Sequence, residues 1–124
     1  MSDADDFATA LMNDIDPRML ELIQTRINSF IKWDLVRFFY ENPHTTDTAD
    51  SIARYTGRDV RTVEPELRQL AQSGVLEMED LSGLHVFMLA NDPEVRQLIS
   101  SFIRACDDRQ FRVKAIYHVI RSLR

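Results

Sequence analysis

Arg54, Arg58, Arg61, Arg68, Gln69 and Gln72 crowd into the middle of this 124-residue chain, with Thr62 among them. Guanidinium and carboxamide groups do no covalent chemistry; they recognise, through charge and paired hydrogen bonds to planar acceptors. Groups that could break bonds are scattered by comparison. His44, His85 and His118 fall in separate segments, with no HxxxH or CxxC spacing to hold a metal. The lone cysteine, Cys106, sits in an apolar pattern and reads as a small buried hydrophobe. Gly57, Gly74 and Gly83 each suit a turn, so no glycine-rich phosphate loop is present. Asp14 with Asp16, and Asp107 with Asp108, are better explained by helix caps and solvated turns than by paired catalytic carboxylates. The residues therefore predict a binding protein, with no enzyme activity, metal or cofactor.

The elements that must carry these groups can be read locally. Ile52, Ala53 and Tyr55 give a short helix its apolar side, capped by Asp47 or Thr46 and stopped by Gly57, which takes a left-handed C-cap cheaply. Asp59 can cap a second helix, in which Val60, Val63, Leu67 and Leu70 form one stripe and after which Gly74 stops the run. Opposite that stripe lie Arg61, Pro65, Arg68, Gln69 and Gln72, with Thr62 at the edge. Pro65 predicts a helix regular only from about Val63, because a proline past the first turn costs about 3 kcal/mol. Segments 75–79 and 84–89 read as a hairpin around Asp80-Leu81-Ser82-Gly83. Leu35 to Asn42 looks like the end of a preceding helix that Pro43 stops, and His44-Thr45-Thr46 suits a third short strand.

Helix, tight turn, helix and hairpin in this order resemble the winged helix-turn-helix domain of MarR-, ArsR- and PadR-like bacterial regulators, over about residues 29–90. The resemblance implies a mainly α fold with a small β-hairpin wing, flanked by N- and C-terminal helices. It also implies that helix 60–73 enters the major groove of duplex DNA, where Arg61, Thr62, Arg68, Gln69 and Gln72 meet bases while Arg54 and Arg58 reach phosphates. Charge opposes this in part. Residues 45–89 hold four arginines against eight acids, and Glu77, Glu79 and Asp80 make the wing acidic. Since phosphate neutralisation supplies much of DNA affinity, non-specific binding is expected to be weak and sensitive to salt. The competing reading is a winged helix used for protein interaction, its acidic wing and Glu64-Pro65-Glu66 facing a basic partner.

Around this domain the sequence predicts an acidic mobile tail (1–13), a flanking helix (14–28) started by Asp16-Pro17, and a C-terminal helical segment (91–124) started by Asp92-Pro93. Whether the first helix runs on into the Trp33 helix or breaks near Asn28-Ser29 is left open. In the C-terminal segment Val95, Ile99, Phe102, Cys106, Arg109, Val113, Ile116, Ile120 and Leu123 alternate by four and three, a heptad seam whose apolar members are expected to form a homodimer interface. That segment is read either as one helix, broken or bent near Asp107-Asp108, or as two shorter helices folded back on their own domain. The aromatic run Phe30, Trp33, Phe38, Phe39 and Tyr40 is expected to be core, with an effector pocket as the alternative. No apolar stretch approaches the roughly 20 residues a membrane span needs, the N-terminus lacks a signal peptide's pattern, and the cysteine count suits the cytoplasm.

Overall fold

The computed structural model describes residues 10–123. The helices are α1 (Pro17–Thr25), α2 (Phe30–Glu41), α3 (Ala49–Thr56), α4 (Val60–Gln72), α5 (Pro93–Ala105) and α6 (Arg109–Ser122), and the strands are β1 (Thr46–Thr48), β2 (Leu76–Leu81) and β3 (Leu84–Leu89). The three strands form one antiparallel sheet in the order β1-β3-β2. Three helices with a small sheet whose hairpin follows the third helix make a winged helix-turn-helix, flanked by α1 before it and by α5 and α6 after it. Most of the expected acidic tail lies outside the described residues; residues 10–12, at its end, are helical.

Caps place the helix starts. The Asp16, Asp59, Asp92 and Asp108 carboxylates each accept a backbone N–H two residues on, and Ser29 and Thr48 accept one three residues on. Ser29 thereby separates α1 from α2 and resolves the open question of continuity. The cap of α3 is Thr48 rather than Asp47 or Thr46, because β1 runs one step further than expected and pairs Asp47 with Phe87. Gly57, at φ 70°, closes α3 in the left-handed conformation. The wing is longer than read from sequence. Asp80 and Leu81 belong to β2, and Ser82-Gly83 form a two-residue turn with both φ angles positive, the geometry that matches strand twist.

The core runs through the middle of this assembly. Val63, Leu67 and Leu70 of α4 are buried with Leu35, Val36 and Phe39 of α2 and Ile52 of α3. Trp33 sits between Phe30 and Phe102, with ring centroids 5.4 Å apart to Phe102, and is core rather than the wall of an effector pocket.

The C-terminal segment is two helices, divided at Cys106–Asp108, and this splits the expected seam. Ile99, Phe102 and Cys106 are buried in the chain's own core, and Val95 is half-buried. Those residues cannot reach a second subunit in this conformation, which corrects their assignment to an interface. The change of helix axis turns the remaining seam outward: Val113, Ile116, Ile120 and Leu123 are 37% to 58% exposed. The opposite side of α6, with Ala115, His118 and Val119, packs on α1. His118 Nε2 lies 2.9 Å from the Met12 carbonyl, which can only accept, so that nitrogen carries the proton. Burial pushes the Cys106 thiol up to about 11, so it stays protonated and inert near neutral pH.

Candidate nucleic-acid interface

The surface built on α4 starts from its buried stripe. With Val63, Leu67 and Leu70 inside, the opposite side presents Arg61, Thr62, Glu64, Pro65, Gln69 and Gln72 to solvent, with Arg68 half-buried beside them. The helix is continuous from Val60, against the expectation that it becomes regular only near Val63. The Asp59 cap is strong enough to start it: its carboxylate accepts the Arg61 N–H at 2.8 Å, and its carbonyl takes both the Thr62 and Val63 N–H groups. Pro65 is accommodated inside the helix on the exposed side, where the Arg61 carbonyl that lost its donor can bond water. Arg61 and Thr62 therefore stay on the first turn of the outward face. Pro65→Ala is expected to raise stability by about 1–3 kcal/mol in urea unfolding, by restoring that bond. No gain would mean that proline's restriction of the unfolded chain outweighs the lost bond.

Each arginine in this region has an intramolecular partner. Arg61 forks onto Asp59 at 2.8 Å, and this bond holds the Asp59 carboxyl below its usual range. Arg58 pairs with Asp34 on α2. Arg68 lies 3.8 Å from Glu64 and extends over the Met78 sulfur of the wing. Arg54 bonds the Ser51 hydroxyl and, alone of the four among the described residues, has no carboxylate partner. The two acids expected to flank the face and repel phosphate are thus not equivalent. Glu64 is exposed against Arg68, whereas Glu66 turns inward.

Glu66 belongs to a polar cluster that the residue pattern did not reveal. Lys32 is only 5% exposed, and its ammonium lies 3.2 Å from Glu66 and bonds the side-chain oxygens of Asn28 and Gln69. The Ser29 hydroxyl donates to Glu66 at 2.8 Å while accepting the Lys32 N–H as the cap of α2. This cluster ties the N-terminal end of α2 to the middle of α4. It also engages the Gln69 amide oxygen, which separates Gln69 from Arg61, Thr62, Arg68 and Gln72. The available signal was a lone lysine in an otherwise apolar turn, Phe30-Ile31-Lys32-Trp33.

The assembled surface offers positively charged forks and amides on a rigid helix, each fork held by an acid that an incoming anion must displace. Three histidines remain apart: His44 and His85 are exposed in β1's approach and the wing, and His118 is buried under α6. Among the described residues, no group of three His, Cys, Asp or Glu side chains is placed to hold a metal. No helix of the described residues is long and apolar enough to cross a membrane.

No protein-family model matches the chain, and no curated protein matches it. Among solved structures, the chain is similar to a possible transcriptional regulator from Methanosarcina mazei Go1, at 15% identity and a TM-score of 0.47, over 87% of this chain and 82% of that chain.

Proposed function

We propose that this protein is a DNA-binding transcriptional regulator that reads duplex DNA through the outward face of α4 and acts as a homodimer. The observation that carries the reading is the winged-helix placement of Arg61, Thr62, Arg68 and Gln72 together on the exposed face of a helix whose other side is locked into the core. Arginine and glutamine there can bond guanine and adenine edges, and Arg54 and Arg58, at the end of α3 and in the turn, lie where phosphates pass. The exposed stripe Val113, Ile116, Ile120 and Leu123 supplies a self-complementary apolar face for two copies of α6. Such a regulator works in the cytoplasm and needs no cofactor.

Fluorescence anisotropy against mixed-sequence duplex DNA at low and moderate salt tests the reading. With four candidate phosphate-reaching arginines per protomer, a fourfold rise in salt is expected to weaken binding by up to about a hundredfold. Combining Arg61→Ala with Arg68→Ala should flatten the logarithmic salt slope by about two. Absence of binding at low salt would overturn the DNA reading and put the rival, a protein-interaction module, in its place. The observation that favours the rival is the acidic wing.

A further inference from the structure

We infer that the free edge of β2 is a docking site for an extended basic segment of a partner protein, which adds to the sheet as a fourth strand. The inference concerns the wing alone and does not depend on α4 binding DNA. The sheet has two edges. β1 is three residues long and ends in the cap of α3, whereas β2 offers six residues in unbroken register, from Leu76 against Leu89 to Leu81 against Leu84. Only one side of β2 is paired, so its outer N–H and C=O groups form a template for another strand. Proteins usually blunt such an edge with lysine, proline or a bulge. Leu76-Glu77-Met78-Glu79-Asp80-Leu81 has none of these.

The side chains choose the occupant. Met78, Leu81 and Leu84 are 40%, 51% and 61% exposed, apolar surface on an element that makes no further contact to bury it. Residues 76–89 hold three acids, Glu77, Glu79 and Asp80, and no lysine or arginine. Arg68 reaches the Met78 sulfur but is itself held toward Glu64, so it does not neutralise the strand. A second copy of β2 would set acid beside acid, and DNA would set phosphate beside acid; both are repelled. A basic strand is attracted. Because successive side chains alternate, Glu77 and Glu79 share one face and Met78 lies on the other. The fitting segment therefore alternates lysine or arginine with apolar residues. This is strand addition, in which backbone bonds give affinity and alternate side chains give specificity.

The test is an NMR titration of the whole chain with a capped peptide of about six residues alternating lysine with valine. A control peptide keeps the lysines and replaces the valines by proline, which holds the charge and blocks backbone pairing. The expected result is saturable shifts and slowed amide exchange within Glu77 to Leu81, with the proline peptide at least about tenfold weaker. Glu79→Lys, a change at an exposed position, should weaken the valine peptide by about tenfold while leaving the spectrum folded. Equal binding of the two peptides would reduce the effect to bulk charge and overturn strand addition. So would shifts centred on α4, no saturable shift at β2, or an unchanged affinity in the Glu79→Lys variant. DNA binding by α4, measured separately, is untouched by any of these outcomes.

Discussion

Replacing Lys32 by methionine is expected to destabilise the protein by about 3 kcal/mol, the larger of two effects centred on single side chains. The ammonium is the only cation beside Glu66 among the described residues, and it also satisfies Asn28 and Gln69. Removing it leaves a largely buried carboxylate with the Ser29 hydroxyl as its remaining bond. The cost comes from that uncompensated charge more than from the pair's own attraction, because desolvation offsets most of the latter. Adding Glu66→Met to Lys32→Met should therefore recover much of the loss, since two apolar side chains can fill the same space. Urea unfolding of the two single variants and the double variant measures this directly. A Lys32→Met variant within about 1 kcal/mol of the parent would show that the cluster is solvated and does not anchor α4. If the anchor is real, the single variant should also lose DNA affinity at temperatures where it remains folded.

Phe102→Ala is expected to cost about 3–5 kcal/mol, with no dependence on protein concentration. The ring is fully buried against Trp33 at 5.4 Å and Phe111 at 6.0 Å, so truncation leaves a cavity lined by aromatic residues. Trp33 fluorescence should change in the same variant, because its tilted neighbour is gone. Ile120→Glu provides the contrast. That side chain is half exposed, so the change should leave monomer stability within about 0.5 kcal/mol while abolishing self-association in light scattering. A concentration-dependent loss in Phe102→Ala would place Phe102 in a subunit interface and contradict the core found here. Unchanged self-association in Ile120→Glu would remove α6 as the dimer face.

The two variants also show where the sequence could and could not be read. Phe102 and Ile120 sit in the same heptad pattern, and nothing in their spacing tells them apart. A periodic apolar face records that a helix side seeks cover; it does not record which surface provides it. The break at Asp107-Asp108 was legible as a cap signal. The rotation it produces between α5 and α6 was not, because it depends on α6 settling against α1. Likewise Glu64 and Glu66 look alike in the chain, yet one is exposed beside Arg68 and the other is turned in to Lys32.

The sequence by itself determined the kinds and order of elements. Caps at Asp16, Asp59 and Asp92, the left-handed Gly57, the hairpin turn and the stripe Val63-Leu67-Leu70 are all encoded within a few residues, where one hydrogen bond or one helical period decides the outcome. Tertiary structure alone decided three things. It set which acids hold the reading-face arginines, which half of the C-terminal seam is core, and that Lys32 and Ser29 meet Glu66 and Gln69 across 37 residues of chain. Those pairings follow from how α2 crosses α4 once their apolar sides are buried. Hydrophobic burial fixes that geometry without regard to charge, and the polar groups then pair with whatever it brings within reach.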